Sequence, residues 1–237
     1  MPRPRPGRAH LIALDLKDEA AIIAAIAEAE ALTGGIDVLV NNAGYGMLGA
    51  IEEVSLEEAQ ALFDVNVFAP LRVIRAALPA MRARKAGHII NVTSVSGHAP
   101  WAGTGIYGAS KYAFECIGQT LAQEVGPLGI KVMNVAPGGL RTDFAAGGLA
   151  LSEAVIPDYD ETAHVARRML TAGAGQEKGD PVRAAAAILK ALDAPEPPLH
   201  LFLGADALHY AEDQHAFVGQ QMADWKDVSL SIAFEEA

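Results

Sequence analysis

Tyr107-Gly108-Ala109-Ser110-Lys111 is the stretch on which the reading of the chain turns, because it places a phenol and an ammonium four positions apart at the start of an expected helix. On a helix, side chains at that spacing share a face, so Lys111 reaches a ligand that Tyr107 reaches. A phenol, ordinarily titrating near pH ~10, is a poor acid or base at neutrality. A neighbouring cation favours its ionised form and brings it toward the working range. Thirteen positions upstream, Ser94 follows the run His88-Ile89-Ile90-Asn91-Val92-Thr93, which reads as a buried strand. A hydroxyl at the carboxyl end of such a strand is placed to hold a carbonyl oxygen beside the phenol.

Toward the amino terminus, residues 1–9 are dominated by Pro and Arg and read as an irregular leader. His10 to Asp15 is an apolar strand, Lys17 to Leu32 a helix, and Ile36 to Asn41 a second strand. That strand runs into Asn41-Asn42-Ala43-Gly44, whose small residues let backbone approach a ligand closely. Strand, helix, strand without a hairpin signal indicates a parallel sheet with crossover helices. Ser55-Leu56-Glu57-Glu58 is a capping box that opens a helix running through Asn66 to about Arg84. An Asn inside a helix is locally unfavourable, so Asn66 stands out.

Toward the carboxyl terminus, a loop from Gly97 to Gly105 precedes the helix from Tyr107 to Val125, which Gly126-Pro127-Leu128-Gly129 stops. Cys116, on that helix, reads as a small core residue. Ile130 to Ala136 is a further buried strand, and Pro137-Gly138-Gly139 turns the chain at the sheet's carboxyl edge, where ligands of open α/β sheets bind. From Phe144 to about Thr171 the chain is irregular and then helical. Pro181 opens a helix that ends near Asp193, Leu199 to Leu203 is a last strand, and a terminal helix and tail follow from about Asp206.

Ser94, Tyr107 and Lys111, with Asn41-Asn42-Ala43-Gly44 and Pro137-Gly138-Gly139-Leu140-Arg141-Thr142, resemble the short-chain dehydrogenase/reductase family in order and spacing, from about Leu11 to about Ala207. The resemblance implies an α/β fold, a Rossmann-like doubly wound parallel sheet, and an oxidoreductase that interconverts an alcohol and a carbonyl with NAD or NADP. It implies that Tyr107 is the general acid/base, that Ser94 positions the substrate oxygen, and that Lys111 binds the nicotinamide ribose and lowers the Tyr107 pKa. Asn66 then distorts its helix and completes a proton relay. Asp15, Asn42, Ala43, Gly44, Tyr107, Lys111, Pro137, Gly138 and Thr142 line the cofactor, Asp15 at its adenine end. Ser94, His98, Trp101, Leu140 and Phe144 flank the substrate, which residues from about 144 to 175 cover. The substrate is a small-molecule alcohol or ketone, and the protein a homodimer or homotetramer. The resemblance stops at the amino terminus: no strand, Gly-rich turn and helix for the pyrophosphate precede Leu11, so the first βαβ segment reads as missing. That gap supports the alternative of a non-catalytic binding or scaffold protein with the same fold.

The 237 residues, 51% of them hydrophobic, suffice for a full core in a single domain spanning 1–237. With 29 acidic against 18 basic residues, a formal charge of -11 repels phosphate backbones, so nucleic acid is not an expected partner. No apolar run approaches the ~20 residues that span a bilayer, and the leader lacks the apolar centre of a signal peptide, which points to the cytoplasm and away from a membrane. No G-x-S-x-G elbow supports a serine hydrolase. No His/Cys/Asp cluster stands at metal-ligand spacing, so no metal is expected.

Overall fold

The computed structural model describes residues 9–234, so nearly all of the expected leader lies outside the described residues. Four apolar segments, β1 (Val38–Asn41), β3 (Gly87–Val92), β4 (Ile130–Pro137) and β6 (His200–Leu203), pair in parallel in the order β1-β3-β4-β6. Two short strands, β2 (Gly46–Leu48) and β5 (Leu149–Leu151), form a separate parallel pair. Because parallel strands need crossover connections, helices fill the intervals. They are α1 (Glu19–Thr33), α2 (Leu56–Phe63), α3 (Ala69–Arg84), α4 (Gly105–Val125), α5 (Phe144–Gly147), α6 (Ala163–Ala172), α7 (Pro181–Leu192), α8 (Ala205–Asp224) and α9 (Lys226–Leu230).

The helix starts follow from local chemistry. Ser55 Oγ accepts from the Glu58 backbone N–H at 3.2 Å while Glu58 Oε2 accepts from the Ser55 N–H at 2.7 Å, which closes the capping box of α2. Asp18 caps α1 by accepting from the Ala21 N–H, and Asp180 caps α7 ahead of Pro181 at the first helical position. Successive strand residues point to opposite faces, and both faces are covered. Ile89 packs with Leu39, Ile74, Met81, Phe114 and Val132 under α3 and α4. Ile90 packs with Met133 and Val135 against Ile188 and Leu192 of α7. The sheet is therefore doubly wound, and β3 and β4 are almost continuously buried, as strands covered on both faces should be.

Three features differ from the sequence reading. His10 to Asp15 is not a strand: among the described residues no neighbour runs beside it, so its backbone finds no ladder, although Ile12 and Leu14 stay half-buried at alternate positions. Cys116 is exposed, because one helical step beyond buried Glu115 turns it away from the sheet. Strands β2 and β5, three residues each, are too short for a periodic signal. Among the described residues, no helix is long and apolar enough to cross a membrane.

Candidate active site

All the strands run the same way, so their carboxyl ends bring Asn41-Asn42-Ala43-Gly44, Thr93-Ser94 and Pro137-Gly138 to one edge of the sheet. Ser94 is fully extended there and caps a short turn, Val95–Gly97, its Oγ accepting from the Ser96 N–H at 3.1 Å. Its own proton remains for other partners, and its hydroxyl acts to lower the pKa of the Tyr107 phenol. Tyr107 and Lys111 stand on the first turns of α4. That helix sits close to the sheet because Gly118 faces β4: a Cβ there would lie 2.0 Å from Asn134 Oδ1.

Lys111 is only 5% exposed, and its Nζ donates to the Val92 carbonyl at 3.1 Å and lies 5.9 Å from the centre of the Tyr107 ring. A single turn of π-helix, Asp64–Phe68, joins α2 to α3 and carries Asn66. The Asn66 side chain accepts from the Tyr45 N–H at 3.1 Å and donates to the Tyr45 carbonyl at 2.9 Å and to Ser110 Oγ at 3.1 Å. The expected distortion of this helix is present, and it leaves the amide with all its protons and its oxygen engaged. Gly44 lies over these groups: a Cβ there would stand 3.0 Å from Asn66 Oδ1 and 3.6 Å from Lys111 Nζ.

Burial dominates the titration of the pair. It raises the Tyr107 phenol above its usual value, and the Ser94 hydroxyl offsets this only in part. The same burial brings Lys111 down to about 8. The expected lowering of Tyr107 by Lys111 is thus not a property of the protein alone, where exclusion of water acts on both groups.

The remaining expected residues divide into those that converge and those that do not. Phe144 lies 6.2 Å from Tyr107, ring centre to ring centre, and Thr142 accepts from the Phe144 N–H. Tyr107 packs against the cluster of Met47, Val54 and Leu62, and Ala150 of β5, paired with β2, packs against the same cluster. Leu140 pairs with Gly179, which fastens the loop after β4 to the segment before α7. Gly138 donates to the Leu203 carbonyl at the end of β6. Asn42 and Ala43 line a cleft of about 170 Å³ with Leu14, Leu16, Val40 and Pro70. Asp15 is exposed and accepts from the Lys17 N–H. Trp101 packs on Tyr210 of α8, and the His98 ring lies against Phe202 and Glu115.

Sequence reasoning passed over a buried amide ladder beneath the site. Asn41 donates to Asn91 at 3.0 Å, Asn91 to Asn134 at 3.0 Å, and Asn134 to Glu115 Oε1 at 2.8 Å. The signal was available, since these three residues stand at one register across β1, β3 and β4. It also passed over buried His164, whose ring contacts Asp160 at 2.6 Å and Glu53 at 2.7 Å. Glu53 accepts from the Ala50 and Ile156 N–H groups, so this cluster ties α6 and the covering segment to the loop before α2.

A doubly wound parallel sheet with a Ser, a Tyr and a Lys gathered at its carboxyl edge defines an oxidoreductase acting on CH–OH and carbonyl groups. The chain belongs to the short chain dehydrogenase family, whose model matches residues 3–149. It is 40% identical to a short-chain dehydrogenase from Streptomyces avermitilis of known structure, with a TM-score of 0.91, 97% of this chain and 83% of that one being covered. It is 33% identical over 222 residues to an oxidoreductase of Botryotinia fuckeliana, covering 94% of this chain and 81% of the relative. It is also similar to a gluconate 5-dehydrogenase from Burkholderia cenocepacia solved in complex with NADP and tartrate, at 32% identity and a TM-score of 0.53, over 55% of this chain and 51% of that one.

Proposed function

We propose that the protein is a single-domain NAD(P)-dependent enzyme that interconverts a small alcohol and a carbonyl by hydride transfer, with Tyr107 as general acid/base. The observation that carries this reading is the buried Lys111 ammonium, which donates to one protein acceptor among the described residues, the Val92 carbonyl. An ammonium has three protons, so two are left for a ligand's hydroxyls, the donor set that a nicotinamide ribose accepts. Gly44 leaves room over Lys111 and Asn66 that any larger residue would fill. The residues therefore fit the nicotinamide and ribose end of the cofactor, which when bound supplies or accepts the hydride.

The chain's own residues do the rest. Ser94, its oxygen already held by Ser96, turns its proton toward a substrate oxygen at Tyr107. Tyr107, kept neutral by burial, gives its proton to the oxygen of a carbonyl, and in the opposite direction its phenolate takes the proton from an alcohol. Lys111 beside it stabilises the phenolate that forms when the proton leaves, and Asn66 fixes the Tyr45 backbone under the site. Phe144 and the β2–β5 pair exclude water from the reacting atoms and give the pocket an apolar wall. Asn42, Ala43, Gly44, Pro137, Gly138 and Thr142 line the remaining cofactor path, with Asp15 toward its adenine end. Homodimer or homotetramer assembly uses α2, the π turn before α3, and α4, which expose Leu56, Phe68 and Tyr112.

The test is a titration of NADH and of NADPH followed by nicotinamide fluorescence. One of the two binds the wild-type chain, and Lys111→Met weakens that binding. If neither binds at millimolar concentration, the reading fails.

A further inference from the structure

One turn beyond Lys111, on the same face of α4, Glu115 is 2% exposed and belongs to none of the steps above. Its Oε1 accepts from Asn134 Nδ2 at 2.8 Å and lies 2.9 Å from His200 Nδ1 on β6. Its Oε2 faces His98 Nε2 at 3.4 Å. These two buried atoms form no well-aligned hydrogen bond to each other or to another described residue, although 3.4 Å is within ion-pair range. An unpaired buried donor and acceptor are costly, and native structures seldom leave them so. One nitrogen from each imidazole and one carboxylate oxygen lie within 4.8 Å of one another.

The surroundings orient all three side chains. Asn134 fixes the carboxylate from the sheet side and is itself held by Asn91. The His98 ring is 4.7 Å from Phe202, and its backbone carbonyl accepts from the Tyr112 hydroxyl. His200 is the more exposed of the two imidazoles, with 37% of its side chain accessible, which leaves a path from solvent and room to turn. Tetrahedral zinc at ~2.0–2.2 Å from N and O ligands places those ligands about 3.3 Å apart. The His200 Nδ1 to Oε1 and His98 Nε2 to Oε2 separations, 2.9 and 3.4 Å, are of that size, each measured to its own oxygen of the carboxylate.

We propose that His98, Glu115 and His200 form a binding site for a zinc-class divalent cation that ties the turn after Ser94, helix α4 and strand β6 together. Two imidazoles and one carboxylate form a donor set used by zinc, with water in the fourth position, whereas magnesium and calcium take oxygen ligands throughout. The ion satisfies the two unpaired atoms at once. It also fixes the segment that carries Ser94 against the helix that carries Tyr107, and Asn134 supplies the hydrogen bond that ligating carboxylates ordinarily receive. The site stands apart from the reaction proposed above and holds whether or not that reaction is the right one.

The experiment uses the full chain, stripped with a chelator and dialysed, then titrated with zinc chloride by calorimetry. Cobalt(II) is used in parallel, for the visible absorption of its four- or five-coordinate complex. The expected result is one equivalent of zinc bound at micromolar concentration, a melting temperature that rises with zinc, and no competition from excess magnesium. His200→Ala alters a partly exposed side chain, so it should fold and melt like wild type without zinc, yet bind zinc at least about tenfold more weakly and lose the cobalt spectrum. His98→Ala should weaken zinc binding at least as much, with some loss of stability from the packing of its ring on Phe202. No zinc binding at about 100 µM would overturn the proposal. So would unchanged stoichiometry and affinity in His200→Ala, which would assign the ion to other groups such as His164 with Asp160 or His209 with Asp213.

Discussion

Replacing Lys111 by Met should make the folded protein more stable at neutral pH while removing its function. Burial brings the Lys111 ammonium from 10.5 to about 8, and at about 1.4 kcal/mol per pH unit this is about 3 kcal/mol against the charged form in the folded state. Met fills similar volume without a charge. Its cost is the lost donor to the Val92 carbonyl, about 1–2 kcal/mol, which leaves the variant about 1–2 kcal/mol more stable at pH 7. The sign of the pH dependence follows from the lowered value. Between about 8 and 10.5 the unfolded chain binds more protons than the folded one, so wild-type stability rises with pH across that window, and below 8 the full penalty applies. Tyr107, raised by the same burial, stays neutral through most of that window. Urea denaturation of both proteins at pH 7 and pH 10 is the assay. The advantage of the variant should shrink or reverse at pH 10. A variant less stable than wild type at pH 7, or a gap that does not narrow with pH, would refute the reasoning that a buried charge is retained here for its chemistry.

Two further outcomes follow from the buried polar groups. Asn134→Leu removes a donor from the Glu115 carboxylate and the acceptor of Asn91, so it should cost about 3–5 kcal/mol in urea denaturation, and a loss under about 1 kcal/mol would show that the amide ladder is not a structural element. His164 is held above its usual value by hydrogen bonds first to Asp160 and then to Glu53, so its contribution is fully present below about pH 6.5 and is lost as pH rises through the higher folded value. Hydrogen exchange across residues 156–166 should accordingly quicken as the solution is made alkaline, beyond the intrinsic base dependence, and His164→Gln should abolish that excess.

The sequence made the order of strands and helices legible where the signal is local. The Ser55–Glu58 box, Pro181 after a capping Asp, and the continuous apolar runs of β3 and β4 each have a cause within a few residues. The grouping of Ser94, Tyr107 and Lys111 was legible from spacing, because a parallel sheet brings all strand ends to one edge. What was not legible depends on partners distant in sequence. His10 to Asp15 has the alternation of a strand, but pairing decides whether a strand forms. Glu115 meets His98 and His200 across 17 and 85 positions, and no helical or strand period relates such residues. The resemblance alone puts His98 beside the substrate, and no local signal shows that its ring packs on Phe202 of β6. The pKa of Tyr107 was argued from its neighbour Lys111 alone, and the degree of burial, which decides the direction, is a property of the assembled fold.

The central claim is that Tyr107 transfers the proton, and Tyr107→Phe tests it most directly because it keeps the ring packed against Met47, Leu62 and Phe144 while removing only the hydroxyl. With a substrate alcohol or ketone in hand, turnover is followed by nicotinamide absorbance, and cofactor affinity is measured separately by fluorescence. The expected rate is lower by about a hundredfold or more, the contribution of general acid–base catalysis, with cofactor affinity within a few-fold of wild type. A variant that keeps more than about a tenth of the wild-type rate would contradict it.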